Sequence, residues 1–198
     1  MPASPAVPGL FLCFAATVLL IFVCVSSPTW EHISFLNVGR GANEVHYGVF
    51  GFTGSGTHIG YEFVNPSQLG FDDSRINTKI IENLTKTLIL HPIAAGLAGL
   101  AVLFGLCGVG YHRAGTVIMT LLAALATIIT FIAFVLDMVL FGIARNRFRD
   151  QGTQAEYGNA NWLTLGALVA LLLGTCASGC GIFGRYRRNR TATGTAAY

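Results

Sequence analysis

Apolar and polar positions divide the 198-residue chain into four long apolar runs separated by polar stretches of unequal length. The runs cover 9–26, 88–107, 117–143 and 162–183. Each approaches or exceeds the roughly 20 residues that a helix needs to cross a bilayer. The third is longer than a bilayer core requires, so it is expected to tilt or to project beyond it. Residues 1–8 hold three prolines and no Lys or Arg, and read as a short disordered cytosolic lead. A cleaved signal peptide is the rival reading of the first run, because Val25-Ser26-Ser27 supplies small residues near a cleavage point. The missing basic n-region, the long apolar run and Pro28 at the first mature position favour a retained span.

The long polar segment, 27–87, contains one stretch that reads as built structure. Val45-His46-Tyr47-Gly48-Val49-Phe50-Gly51-Phe52 and Thr57-His58-Ile59-Gly60-Tyr61 are rich in β-formers and flank Thr53-Gly54-Ser55-Gly56. Glycines there permit the positive φ of a tight reversal, so the spacing predicts a β-hairpin over 45–61. Trp30 is placed to sit at the headgroup level. Asp72-Asp73-Ser74 could cap a helix entering the second span from about Arg75, with Ile76, Ile80, Ile81 and Leu84 at helical spacings. Asn83-Leu84-Thr85 matches a glycosylation acceptor but lies close to that span. Pro92 falls in the first turn of the span, where no backbone donor is needed.

The predicted fold is therefore an integral membrane, mainly α protein: a four-helix transmembrane bundle with a small antiparallel β-hairpin or sheet in the first extracellular loop. Composition sharpens this. Hydrophobic residues are 53% of the chain and charged residues 11%, against about 25% charged in soluble domains. A formal charge of +3 is too mild to imply nucleic acid as a partner. The five cysteines all fall in apolar runs, so no disulfide framework is expected in the loop. Cys176 and Cys180 lie one helical turn apart and read as small packing residues rather than as half of a metal site. No nucleophile–base arrangement, metal spacing or phosphate loop stands out, so no enzyme activity, metal or cofactor is expected.

Four spans put both termini on one side. Placing them in the cytosol gives that side Arg113, in the 108–116 turn, and Arg185, Arg187, Arg188 and Arg190, in the 184–198 tail. The opposing 144–161 loop holds Arg145, Arg147 and Arg149, so the positive-inside balance favours this orientation only narrowly. The tail arginines read as a topology signal, with attraction to anionic lipid as a secondary effect. Gly166, Ala170, Gly174 and Ser178 recur at four-residue steps and form a close-packing stripe, for a helix of the same bundle or for a second subunit.

Asp137 is the one acidic residue inside an apolar run. A carboxylate at mid-bilayer costs on the order of 3 kcal/mol on insertion scales, so it must be paired, protonated or hydrated. Two readings stay open: a proton-responsive group, or an interhelical hydrogen bond with His91 or Thr17 as partner. His32, His46 and His58 lie in the outer loop, where imidazoles could change charge with ambient pH or be inert surface groups.

Several of these stretches, taken in order, resemble the fungal PalI family of pH-response regulators, within a wider claudin-like group of four-span proteins. They are Gly48-Val49-Phe50-Gly51-Phe52, His58-Ile59-Gly60-Tyr61, and Leu88-Ile89-Leu90-His91-Pro92 with its Ala-rich continuation. Phe134 to Phe141 and the Trp162 span ending in an arginine cluster complete the set. The resemblance implies a plasma-membrane component of alkaline pH signalling. Such a protein assists a separate multi-span pH sensor, whose cytosolic tail recruits an arrestin-like adaptor upstream of a zinc-finger transcription factor. The related eisosome proteins imply the alternative, a structural organiser of membrane or cell-wall domains. The hairpin would then be the surface that meets a membrane partner, with a homo-oligomer as a further option. Two departures matter. The family usually has a cysteine directly after the Gly-Val-Phe-Gly-aromatic run, where Thr53 stands, and many members have long tails. Neither a loop disulfide nor tail-mediated recruitment is carried over.

Overall fold

A computed structural model describes residues 6–41, 44–63, 79–110 and 113–194. Its elements, in order, are α1 (Ala6–Cys24), β1 (Leu36–Val38), β2 (Val45–Tyr47), α2 (Lys79–Lys86), a 3-10 turn (Thr87–Ile89), α3 (Leu90–Gly110), α4 (Arg113–Asp150), β3 (Ala155–Tyr157) and α5 (Ala160–Gly194). Four of the helices are long and apolar enough to cross a membrane. They pack in a ring, with α3 most extensively against α4 and α1 against α5, closed by α1–α3 and α4–α5 contacts. Large side chains such as Phe11, Leu103, Leu121, Ile128, Phe131 and Leu173 stay exposed on the outside of this ring, as expected of a surface solvated by lipid.

Small residues allow the helices to approach. Ala16, Ala94, Ala98, Ala126 and Ala167 form one buried layer with Leu20 and Leu171, and Cys13, Ala101, Met119 and Ala123 form a second. The stripe on α5 faces α1: a Cβ at Gly174 would lie 3.3 Å from the Cys13 sulfur and from the Gly9 carbonyl oxygen. A Cβ at Gly9 would meet Ser178 at 3.1 Å. The Ser178 hydroxyl bonds back to the Gly174 carbonyl oxygen one turn earlier. Of the two partners left open for this stripe, the structure supplies the helix of the same bundle.

Several expected boundaries move. α1 begins at Ala6, inside the expected lead, and α5 continues to Gly194. α4 does not stop near Ile143 but runs for 38 residues to Asp150, about 57 Å at 1.5 Å per residue. It therefore projects well past a hydrocarbon core of about 30 Å. The expected helix entering the second span is present as α2 and the 3-10 turn, with Ile81 buried. Asp72, Asp73, Ser74, Arg75, Ile76 and His112 lie outside the described residues, as do the side chains of Arg185, Arg187, Arg188 and Arg190.

The projecting end of α4 carries a three-stranded antiparallel sheet, order β2-β1-β3. Leu36 pairs with Tyr47 and with Tyr157, and Val38 with Val45 and Ala155. The small sheet is as expected, but its pairing corrects the hairpin over 45–61. β2 pairs with β1, upstream of the expected hairpin, and the third strand comes from the loop after α4. Within 45–61 the reversal is Gly48–Gly51, closed by Gly48 N–H to the Gly51 oxygen at 2.8 Å, with Thr53 N–H on the His46 oxygen at 3.0 Å. Thr53–Gly56 makes a second turn, and Thr57–Tyr61 is not a strand. It runs back beside the first reversal through His58 N–H on the Phe50 oxygen at 2.8 Å.

Candidate functional site

Around the sheet, the polar segments close over a second core unlike the alanine layers of the bundle. Phe35, Leu36, Val38, Tyr47, Val49, Tyr61 and Phe63 from the loop meet Phe141, Ala144 and Phe148 from α4. The rings interlock: Tyr47 lies 4.9 Å from Phe63, Phe35 stacks on Phe141 at 5.0 Å, and Phe63 is edge-on to Phe148 at 6.2 Å. Complete burial of each such side chain stabilises by about 1.5–3 kcal/mol. This aromatic cap therefore carries much of the loop's fixed shape, with no cystine to help it.

Hydrogen bonds fasten the cap's two loops. Asn161 Nδ2 donates to the Phe35 oxygen at 2.8 Å, and Gly158 N–H donates to the same oxygen at 2.9 Å. Asn159 Oδ1 accepts from Ser34 N–H at 3.2 Å, while its Nδ2 donates to the His32 oxygen at 2.8 Å. Arg145 lies over the Tyr157 ring at 5.0 Å, and Arg149 Nε donates to the Ala155 oxygen at 2.9 Å. Two of the three arginines at the end of α4, Arg145 and Arg149, therefore hold β3 against the helix.

The residues of the hairpin motif divide by role. Gly48 lies where the Ser27 backbone crosses, and a Cβ would overlap the Ser27 carbonyl. Val49 N–H donates to Ser26 Oγ at 3.0 Å. Gly60 has φ +77°, a conformation that side chains disfavour. Tyr61 is buried, and its hydroxyl donates to the Gly48 oxygen at 2.7 Å. Burial first, then the neighbouring Tyr47 and Asp137, push the Tyr61 phenol well above its ordinary value. Gly51 and Val49 are buried too, Phe50 and Phe52 partly, so most of the motif builds the cap. His58 and Ile59, the latter 60% exposed, are the members that face outward.

Directly beneath the cap, His91 and Asp137 come together. His91 Nε2 is 3.0 Å from Asp137 Oδ2, with both side chains buried. The contact is at hydrogen-bond length, and neither atom bonds any other group among the described residues. His91 Nδ1 lies 3.1 Å from the Leu88 oxygen. Phe35 sits edge-on to the imidazole at 5.3 Å. Thr17, the other partner considered, instead bonds the Cys13 oxygen on its own helix at 2.8 Å.

The outward face of the sheet is polar. Asn37 lies between His46 and Glu156 across the strands, and its Oδ1 accepts from His46 Nδ1 at 3.0 Å. Glu31, His32 and Tyr157 share with Asn37 and His46 an open depression of about 430 Å³. Among the described residues, no three His, Cys, Asp or Glu side chains converge as a metal site would require.

Comparison with known families decides what this architecture belongs to: the profile of the SUR7/PalI family matches residues 5–174. The chain belongs to the SUR7/PalI family. The match takes in the first three spans, most of the fourth, the aromatic cap and the His91–Asp137 pair. Membership makes the chain a multi-pass membrane protein of the pH-response or eisosome type. No curated protein matches it.

Proposed function

We propose that this SUR7/PalI-family protein is a non-enzymatic accessory component of ambient alkaline pH signalling at the fungal plasma membrane. It supports a separate multi-span pH sensor, with the aromatic cap outside the cell and both termini in the cytosol. The family match over residues 5–174 carries the reading. Two features of the chain support it. Arg145 and Arg149 are engaged with β3, so they weigh less as free topological charge against a cytosolic tail rich in arginine. The cap also presents a small exposed surface containing His58 and Ile59, suited to meeting a neighbouring membrane protein.

A deletion strain expressing a tagged sensor tests this reading. It should fail to grow on alkaline medium, grow normally on acidic medium, and carry less sensor at its surface. Normal alkaline growth with normal sensor levels would contradict the proposal. The same family match also covers eisosome-type organisers. Immobile fluorescent patches with a wall defect and no pH sensitivity would favour that second reading.

A further inference from the structure

A carbonyl oxygen can only accept, so the contact between His91 Nδ1 and the Leu88 oxygen puts a hydrogen on Nδ1. In the neutral imidazole, Nε2 would then be a bare lone pair, and it lies 3.0 Å from a carboxyl oxygen of Asp137. Two acceptors at that distance repel, and a dry interior offers little screening. The arrangement therefore requires one proton between them, carried by the imidazole or by the carboxyl group. Either form leaves the pair with no net charge.

We propose that His91 and Asp137 form a single-proton binding site that locks the cap onto α3 and α4, and that loss of this proton releases the cap. The proton passes to base in the surrounding water, and the pair is left with one net negative charge. Among the described side chains, that charge has little to satisfy it. The titratable or charged groups there include Tyr47 and Tyr61 in the cap, Lys86 at the end of α2, and Arg145 two turns further along α4, with Arg147 and Arg149 beyond it. Tyr61 already donates to Gly48 and Lys86 is exposed. Arg145 is engaged with Tyr157. α1 contributes no charged side chain, and α5 contributes none between Ala160 and Gly179.

A buried, unpaired carboxylate is relieved by admitting water, which means separating α3 from α4 beneath the cap. Phe35 is the group that would register the separation. Its ring bridges His91 on α3 and Phe141, one turn beyond Asp137 on α4. Its backbone is equally committed: Phe35 N–H donates to Tyr47, and its oxygen accepts from Gly158 and Asn161. Displacing this ring loosens β1 from β2 and from the β3 loop together. The biological use of such a transition rests on the alkaline-response reading, whereas the transition itself is a property of the purified chain.

Full-length protein in lipid nanodiscs, selectively labelled with ¹⁵N-histidine, tests the site. In the wild type, Nδ1 of His91 should stay protonated across about pH 5 to pH 9 while Nε2 reports a single step. Amide protection of residues 35–38 and 155–158, corrected for intrinsic exchange, should fall by about tenfold or more across the same step. Asp137→Asn supplies an amide that can donate to a neutral imidazole, so it should abolish the step and leave the protection constant. A wild type with no step at His91, or with cap protection that does not follow it, would overturn the proposal even if Asp137→Asn does not fold. So would a step that persists unchanged in Asp137→Asn. A normal deletion phenotype in cells would remove the signalling role and leave the site standing.

Discussion

Replacing Phe35 by alanine should release the cap while leaving the bundle intact. The side chain is fully buried, stacked at 5.0 Å on Phe141 and edge-on at 5.3 Å to His91. Deleting a buried phenyl ring costs about 3–5 kcal/mol in lost transfer energy plus the cavity left behind. The two ring contacts put this site toward the upper end of that range. At about 1.4 kcal/mol per factor of ten, cap amides should lose protection by about a hundredfold to a thousandfold or more. Hydrogen exchange read by mass spectrometry in nanodiscs would measure it over 33–38, 45–52 and 155–161. The lower bundle packs through separate layers around Ala98 and Ala123, so exchange over 94–101 and 119–130 should hardly change. Phe35→Leu, which keeps most of the volume, should cost about 1–1.5 kcal/mol. A loss below about 1 kcal/mol in Phe35→Ala, or an equal loss throughout the bundle, would refute the idea that Phe35 pins a distinct cap.

Three further outcomes follow from other parts of the molecule. Alanine at Gly48 should disrupt the cap far more than alanine at Gly54, since the first Cβ overlaps the Ser27 backbone and the second meets nothing within 4 Å; Gly54→Ala should cost only the positive-φ strain of about 1 kcal/mol, and chemical denaturation of the two variants would rank them. The Tyr61 phenol is held above its ordinary value, so it favours the folded cap below the unfolded tyrosine value of about 10 and loses that contribution as pH rises beyond it. Tyrosinate absorbance should show a late-titrating group coincident with cap unfolding, and Tyr61→Phe should remove that group while losing the bond to Gly48. Leucine at Gly174 cannot fit against Cys13 and Gly9, so it should separate α1 from α5 and lower the melting temperature in detergent; an unchanged melting temperature with altered self-association would place the stripe at a subunit interface instead.

The four spans were legible because an apolar run of bilayer length has few other outcomes. The extension of α4 was harder to see, although its sign is present. Asp137, Phe141, Ala144 and Phe148 recur at helical spacings, and all are buried on one seam. Arg145, Arg147 and Arg149 interrupt that seam with charge, and the interruption reads as a loop. β3 gave no local signal, because only Ala155 of its three residues is buried and its partner lies more than a hundred positions earlier. Gly54 and Gly56 drew the expected reversal to themselves, whereas Gly48 and Gly51 close the reversal that pairs Tyr47 with Phe52. At the candidate site, Asp137 and His91 were both visible as polar residues in apolar runs. Their meeting depends on the way α3 crosses α4, which no local pattern encodes. Phe35 was invisible, since one phenylalanine in a polar loop carries no period.

The proposed function makes the cap the working part of the molecule and the bundle its support. Surface abundance of the tagged pH sensor, in cells whose only copy of this protein carries Phe35→Ala, tests that claim most directly. The variant should insert and reach the plasma membrane at normal level, yet the sensor should fall to the level found in the deletion strain. Sensor abundance equal to wild type, with the cap shown to be open by exchange, would contradict the account.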